Sequence, residues 1–199
     1  MLQFKRFINS VFSSNSYVVF RQGKGIIIDI GDFEPINAFI KENGIELEAL
    51  FITHTHYDHI YGIREFMTNY PHLPIYTSEF GKQAFNKSNW NFSRYHEDEI
   101  CITSERIIAL NDGADIPCLE NQAVKAILTP GHDKSCVSYL ISDYLFSGDS
   151  YIPDVKVIAS FPNSNKEDAR YWYARLKDLS ANMILCPGHG DIVDNLYPP

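Results

Sequence analysis

The chain has 199 residues, 45% of them hydrophobic and 21% charged, which suits a single domain over residues 1–199 with a full hydrophobic core. Its formal net charge of −8 and the lack of a Lys/Arg run argue against a nucleic-acid partner. No stretch reaches the roughly 20 apolar residues of a membrane span, and the four cysteines lack C-x-x-C spacing, so we expect a cytoplasmic, reduced protein without a membrane partner.

The first elements in chain order are two strands and a helix. Ser16–Phe20 and Gly25–Ile30 are predicted as strands joined by a turn. Pro35 suits the first residue of a short helix, and Asn43 followed by Gly44 suits its end.

The next elements are a buried strand, a helix and a further strand. Ala49–Thr53 is a short apolar run typical of a buried strand. Apolar residues at helical spacing then predict a helix over Ile60–Tyr70, which Pro71 closes. Residues 81–106 predict no regular element, and Gln122–Leu128 is predicted as a strand.

The last part of the chain predicts a hairpin, a helix and a strand. Ser138–Ile141 and Tyr144–Ser147 form the hairpin, and Met183–Cys186 forms the final strand. Ser164 and Glu167 have capping-box spacing at the start of the helix. One face of this helix is apolar and comprises Ala169, Trp172, Tyr173, Leu176 and Leu179. Strands grouped early and late, with helices between, predict an α+β fold of two sheets in a sandwich with helices outside.

The chemistry of the chain centres on a cluster of histidines and an aspartate directly after a predicted strand. His54, His56, Asp58 and His59 lie within six residues. Burying so many polar groups without partners would cost roughly 1–3 kcal/mol for each unsatisfied group. In an extended segment alternate residues point the same way, so His54 and His56 can hold one ion. Asp58 and His59 follow a turn and can face a second ion.

Three further polar residues follow glycine at the ends of predicted strands. They are His132 in TPGHD, Asp149 in FSGDS and His189 in CPGHG. Glycine allows the sharp turn that points a side chain at a strand tip into a cleft. Together with the first cluster, these residues are too many for one tetrahedral zinc ion. The sequence therefore predicts two zinc ions, although iron or manganese suits the same ligands.

This pattern resembles the metallo-β-lactamase superfamily. The resemblance runs from Asn15-Ser16-Tyr17 through the H-x-H-x-D-H motif to Pro187-Gly188-His189. It implies a four-layer αββα sandwich with the metals at one edge, between the sheets. By position it implies that the first metal is held by His54, His56 and His132, the second by Asp58, His59 and His189, and that Asp149 bridges both.

The implied activity is hydrolysis by a metal-bridging hydroxide. The two ions lower the pKa of a bridging water toward 7, and one of them polarises the bond of a small-molecule ester, thioester or related substrate. Asp58 is the catalytic candidate because it can hold the hydroxide in line as well as bind metal. The sequence leaves the oligomeric state open.

The motifs separate this chain from several relatives within the superfamily. True β-lactamases lack an aspartate at the position of Asp149. Glyoxalase II shares all seven ligands but continues into a glutathione-binding helical region, whereas here the sequence ends soon after His189. An alternative is a mononuclear iron persulfide dioxygenase, which Cys136-Val137 and Tyr139 resemble, although the Gly-Cys-Gly-Arg segment is missing. A non-catalytic metal-binding module is the third possibility.

Some residues near these motifs have two interpretations each. Asp29, at the end of IIIDIG, either supports the metal ligands or forms a turn. Trp90, Phe92 and Tyr95 either form an aromatic rim over the cleft or pack onto the domain. Asp133 departs from the threonine that the superfamily more often has after this histidine.

Overall fold

The computed structural model describes residues 1–196, and its first half is a six-stranded sheet with the order β1-β2-β3-β4-β5-β6. Neighbours from β1 to β3 are antiparallel, and neighbours from β3 to β6 are parallel. The strands are β1 Gln3–Ile8, β2 Asn15–Arg21, β3 Lys24–Ile28, β4 Glu46–Phe51, β5 Ile75–Ser78 and β6 Ile107–Leu110.

The second sheet also has six strands, in the order β12-β11-β10-β9-β8-β7. Its strands are β7 Asp115–Cys118, β8 Gln122–Leu128, β9 Val137–Ile141, β10 Tyr144–Gly148, β11 Ile184–Pro187 and β12 Val193–Asp194. β9 is antiparallel to both of its neighbours, and β10 is parallel to β11. Strands β8, β10 and β11 therefore all point toward the same edge.

Helices connect the strands and cover the outer faces of the sheets. They are α1 Phe33–Glu42, α2 Tyr57–Ile60, α3 Ile63–Asn69, α4 Glu79–Ala84 and α5 Lys166–Ser180, with a 3-10 turn at Ser93–Tyr95. No helix within residues 1–196 is long and apolar enough to cross a membrane.

Three apolar clusters lie between four layers. Val18 belongs to the cluster between the first sheet and the helices α1 and α3, whereas its neighbour Val19 belongs to the cluster between the two sheets. This alternation follows from the period of two along a strand. A third cluster packs Leu176 of α5 against Leu145 and Leu185 of the second sheet. The predicted α+β sandwich with αββα layers is confirmed.

The helix predicted over Ile60–Tyr70 is divided into α2 and α3 at Gly62. The amide of Gly62 donates to the carbonyl oxygen of Ile30 at 3.1 Å. A Cβ atom on Gly62 would lie 2.2 Å from the carbonyl oxygen of Gly31. The helix is interrupted because this backbone passes directly against the loop that follows β3, an approach that only glycine permits.

The predicted capping box of the last helix is wrong. Asn165 caps α5 instead, since its side chain accepts from the amides of Glu167 and Asp168 at 2.9 and 3.2 Å. The hydroxyl of Ser164 donates to the carbonyl oxygen of His132. Leu179 is 41% exposed and lies outside the buried face of α5, which comprises Ala169, Leu176 and Ser180.

Five short strands and one helix were not predictable from local patterns, namely β1, β5, β6, β7, β12 and α4. These strands have two to six residues, too few to show a clear period. The predicted strand Gly25–Ile30 ends earlier, at Ile28, because Asp29 adopts a left-handed conformation with φ of 56°.

Replacing Gly62 with alanine tests the close approach of α3 to the loop after β3. The added methyl group must push backbone apart, so we expect a loss of about 1–3 kcal/mol in the free energy of unfolding, measured with urea. Gly113→Ala is the control: its φ is 75°, but no atom lies within 4 Å of the added Cβ. It should cost only the left-handed strain, about 1 kcal/mol. Equal losses in the two variants would contradict the steric explanation.

Candidate metal centre

The histidine and aspartate side chains predicted as ligands lie just beyond the carboxyl ends of strands from both sheets. His54 follows β4, His132 follows β8, Asp149 follows β10 and His189 follows β11. Strands β8, β10 and β11 point to the same edge, so their following residues meet there. The structure brings all seven predicted ligands together at this edge, between the sheets.

Glycines at the strand ends make this convergence possible. Gly148 has φ of 52°, which turns the chain between β10 and Asp149. A Cβ atom on Gly188 would lie 2.2 Å from Oδ1 of Asp149. The glycines that precede Asp149 and His189 are therefore required by the turn and by the close packing of the two ligands.

The seven side chains form three overlapping groups of three residues. Within each group, the ligand atoms lie within 4.8 Å of one another. The groups are His54 with His56 and His132, His54 with His59 and Asp149, and Asp58 with His59 and His189. Oδ2 of Asp149 lies 3.6 Å from Nε2 of His132 and 3.5 Å from Nε2 of His189. Asp149 therefore lies between the first group and the third.

Contacts within the groups are short. Nε2 of His132 lies 3.0 Å from Nδ1 of His56. Nε2 of His189 lies 3.2 Å from Oδ2 of Asp58 and 3.3 Å from Nε2 of His59. These nitrogen and oxygen atoms all face a common interior, as ligand atoms around an ion must.

Backbone carbonyl groups orient two of the imidazoles. Nδ1 of His132 donates to the carbonyl oxygen of Ile158 at 2.8 Å, and Nδ1 of His189 donates to that of Phe12 at 3.2 Å. A carbonyl oxygen only accepts, so each Nδ1 must carry the proton. Nε2 of both rings is therefore directed into the cluster.

Asp29 orients two further imidazoles. Its carboxylate accepts from Nδ1 of His59 at 2.9 Å and from the amide and hydroxyl of Thr53 at 2.7 and 2.6 Å. Since the Thr53 hydroxyl donates to Asp29, it accepts from Nδ1 of His54, 3.2 Å away. Nδ1 of each histidine is thus held by a hydrogen bond, and Nε2 of each faces inward. Asp29 forms the turn after β3 and also contacts the predicted ligand His59, so it has both of the roles considered from the sequence.

Asp133 lies against the fifth imidazole. Its Oδ2 is 3.5 Å from Nε2 of His56, and neither atom has another hydrogen-bond partner among residues 1–196. Its Oδ1 accepts from the amide of Ser135 at 2.8 Å and from the hydroxyl at 2.5 Å. The proton of His56 is therefore drawn to Nε2, and Nδ1 faces His132. The Asp-x-Ser spacing could have indicated this turn, because an aspartate often accepts from the amide two residues on.

Burial and neighbouring charge set the protonation of the cluster. Burial, with the nearby imidazoles, holds the pKa of His54 well below its ordinary value. Burial also lowers the pKa of His132. Burial opposes ionisation of Asp58, but His59 and His189 outweigh it and hold its pKa below the ordinary value.

Burial opposes protonation of His59, but Asp58 and Asp29 outweigh it and raise its pKa to about 10. Burial likewise opposes protonation of His189, and Asp58 outweighs it and raises the pKa of His189. A metal ligand must be a neutral imidazole, so metal binding would release these protons.

These side chains fit a resident metal centre. Nε2 of His54 and Oδ1 of Asp149 are buried and have no hydrogen-bond partner within residues 1–196. Such atoms are costly unless something outside the chain satisfies them. Imidazole nitrogens and carboxylate oxygens are ligands for zinc, iron and manganese. The donor set therefore matches metal ions rather than a network closed by the protein alone.

Of the three aromatic residues predicted as a rim or as packing, Phe92 contacts a ligand and Trp90 packs onto the domain. The Phe92 ring lies 4.8 Å from the ring of His56, and that of Phe161 lies 5.3 Å from it. Tyr95 is 74% exposed beside Phe92. Trp90 stacks on Phe80 at 4.7 Å and has no ring contact with a ligand among the described residues. No sequence signal distinguished Phe161, because it lies in a long irregular loop.

A two-sheet sandwich with this cluster at one edge defines a class of metal-binding α+β proteins. A family model described as the metallo-beta-lactamase superfamily matches residues 9–189. The chain belongs to this superfamily.

Relatives with assigned names lie in the same superfamily. The chain is 26% identical over 185 residues to a probable polyketide biosynthesis zinc-dependent hydrolase, BaeB, of Bacillus velezensis, across 91% of this chain and 75% of that protein. It is 33% identical over 126 residues to a hydroxyacylglutathione hydrolase of Actinobacillus pleuropneumoniae. That match covers 63% of this chain and only 44% of the relative.

Solved structures share the fold at low sequence identity. The B3 metallo-β-lactamase BLEG-1 has a TM-score of 0.87 at 21% identity, and the match covers 96% of this chain and 93% of the BLEG-1 chain. TTHA1623 in a di-iron-bound form has a TM-score of 0.81 at 20% identity, over 96% and 94%. ETHE1 from Myxococcus xanthus has a TM-score of 0.75 at 19% identity, over 98% and 80%.

Replacing Asp133 with asparagine tests its support of His56. The neutral side chain holds the Nε2 proton less strongly, so we expect metal affinity to fall about 10–100-fold, measured by competition with a chromogenic chelator. Asp143→Asn, on the exposed turn between β9 and β10, is the matched control and should leave the affinity unchanged. The same affinity in both variants would show that Asp133 serves only its own loop.

Proposed function

We propose that the chain is a metal-dependent hydrolase with two zinc ions that cleaves an ester, thioester or related bond of a small molecule. The arrangement of the ligands carries this proposal. His56 and His132 belong to one group, and Asp58 and His189 belong to another. Oδ2 of Asp149 lies within 3.6 Å of Nε2 of His132 in the first group and of Nε2 of His189 in the second. Two groups joined by one carboxylate are typical of a dinuclear centre.

The groups would hold the metals as follows. His54, His56 and His132 would bind the first ion, Asp58, His59 and His189 the second, and Asp149 both. When bound, a pair of dications lowers the pKa of water and polarises a carbonyl or phosphoryl oxygen. Zinc is favoured because the BaeB relative is named a zinc-dependent hydrolase, although the di-iron form of TTHA1623 shows that this fold also accepts iron.

Asp58 is proposed as the catalytic residue. Its lowered pKa keeps it ionised, so it can accept a hydrogen bond from an attacking water and hold that water in line. Its side chain is 12% exposed, whereas that of His59 is fully buried, so Asp58 lies nearer the mouth of the cleft. Phe92 and Phe161 pack against His56 and would exclude water on that side.

The cytoplasm is the proposed location. The four cysteines are free, and two of them, Cys136 and Cys186, are buried in the core. A fold that keeps its thiols unpaired suits a reducing compartment. The acidic net charge supports a small-molecule substrate rather than a nucleic acid.

The persulfide dioxygenase alternative has one specific support, the likeness of the fold to ETHE1. The residues that carried the resemblance in sequence do not strengthen it. Cys136 is buried, and Tyr139 is a core residue whose hydroxyl donates to the carbonyl oxygen of Ile52 at 2.8 Å. Packing in the core accounts for both residues, so they do not favour the dioxygenase over the hydrolase.

Elemental analysis of the purified protein, paired with a panel of substrates, tests the proposal. We expect about two metal ions per chain, mostly zinc, and turnover of an ester or thioester in the panel. One iron per chain, with oxygen consumption on a persulfide, would favour the dioxygenase instead. A folded protein that binds metal but turns over none of the compounds would favour a non-catalytic metal-binding module.

Replacing Asp58 with alanine tests its catalytic role. We expect kcat/KM to fall about 100-fold or more, because the variant loses both a ligand and the acceptor that orients water. Circular dichroism and elemental analysis on the same samples separate loss of fold and of metal from loss of chemistry. Near-normal turnover would rule out the role given to Asp58.

Replacing Phe92 with alanine tests which aromatic residue borders the substrate. Because the Phe92 ring contacts a ligand and the Trp90 ring contacts Phe80, we expect kcat/KM to fall about tenfold in Phe92→Ala only. Trp90→Ala, the matched control, should lower thermal stability instead. A larger loss of turnover in Trp90→Ala would return that residue to the cleft.

A further inference from the structure

A cavity lies beside the metal centre, between the loop after β10 and helix α5. It has a volume of about 800 Å³, within the range of pockets that hold small molecules. Its loop side includes Val155 and Ile158, which are 47% and 55% exposed. Its helix side includes Ala169 and Tyr173. The loop side is therefore apolar surface that the rest of the chain leaves accessible.

The same cavity carries a surplus of positive charge. Lys156 on the loop and Lys166 and Arg170 on α5 line it, with Asp154 as the one carboxylate in the lining. None of the three cationic side chains has a hydrogen bond or an ion pair with another residue of the described part of the chain. Three cations against one carboxylate leave the lining with a surplus of two positive charges, in a protein whose net charge is −8. They suit an anionic group in an otherwise apolar ligand.

The charged cavity adjoins the metal centre. A smaller cleft of about 270 Å³ is lined by the ligands His132, Asp149 and His189. The segment from Val155 to Ile158 lines this cleft and the larger cavity alike. One molecule can therefore extend from the metal centre into the charged cavity along this segment.

The loop that lines both spaces is held to the metal centre by hydrogen bonds. The carbonyl oxygen of Ile158 accepts from Nδ1 of His132 at 2.8 Å. The amide of Lys134 donates to the carbonyl oxygen of Asn163 at 3.1 Å, and the amide of Asn165 donates to that of Gly131 at 2.8 Å. These bonds hold the charged cavity at a defined position relative to a metal ligand, as a specificity site requires.

We propose that this cavity binds an anionic end group of the substrate, a carboxylate or a phosphate, at the end of an apolar chain. This substrate class rests on the proposed hydrolase function. The scissile carbonyl lies at the metal centre, the apolar chain follows Val155 and Ile158, and the anion meets Lys156, Lys166 and Arg170.

A matched series of thioacetates tests the proposal. In each compound the alkyl chain of the thiol ends in a carboxylate, a phosphate or a neutral primary amide. We expect the metal-loaded enzyme to show a kcat/KM at least about tenfold higher for an anionic compound than for the amide of the same length, mainly through KM. The carboxylate and phosphate compounds distinguish the two end groups. Equal values for all three at every length would overturn the proposal.

Variants of α5 locate the effect. In Arg170→Gln and Lys166→Gln the ratio of anionic to neutral kcat/KM should fall toward one. Arg175→Gln and Lys177→Gln remove the same charges from the same helix outside the cavity and should keep the ratio. An equal fall in the control variants would attribute the preference to overall charge and would contradict a binding site here.

Binding of unreactive analogues separates this proposal from the hydrolase function. Thioethers of the same chains, ending in carboxylate, phosphate or amide, are titrated calorimetrically into the metal-loaded protein. Tighter binding of an anionic thioether, lost in Arg170→Gln, would support the cavity even if no thioacetate is hydrolysed. Turnover without any anionic preference in rates or binding would uphold the hydrolase and reject the cavity as its specificity site.

Discussion

The buried carboxylate of Asp29 is the contact on which the metal centre depends most. It accepts three hydrogen bonds, two from Thr53 at the end of β4 and one from His59 of α2. A buried charge without partners would be costly, and these donors satisfy it. Because Thr53 in turn accepts from His54, one carboxylate orients a ligand of the first group and a ligand of the third. The spacing between the two groups therefore depends on the turn after β3.

The second sheet contributes its ligands through contacts between distant parts of the chain. The amide of Asn15 donates to the carbonyl oxygen of Gly188 at 2.7 Å, and the hydroxyl of Tyr17 donates to that of Pro187 at 2.7 Å. These bonds connect β2 of the first sheet to the end of β11. They bring His189 to the edge where His59 lies, so the site forms only when both sheets are packed together.

Local chemistry explains what the sequence could and could not predict. His54, His132 and His189 were predictable because metal ligands combine an unusual residue type with an apolar strand or a glycine beside it. The contact of Asp133 with His56 joins segments 77 residues apart, and no spacing indicates it. The same holds for Phe161, which contacts His56 from an irregular loop. Long-range packing, rather than local propensity, decides which loop residues border the ligands.

Overall charge and local charge lead to different conclusions about the substrate. A net charge of −8 disfavours a long polyanion, because its many charges are repelled by carboxylates over much of the protein surface. A single anionic group within a cavity senses the nearest side chains, because salt screens exposed charges beyond roughly 8 Å. Lys156, Lys166 and Arg170 then outweigh the distant carboxylates. An acidic protein can thus select a small anionic substrate, provided that the cations lie where the metal centre holds its other end.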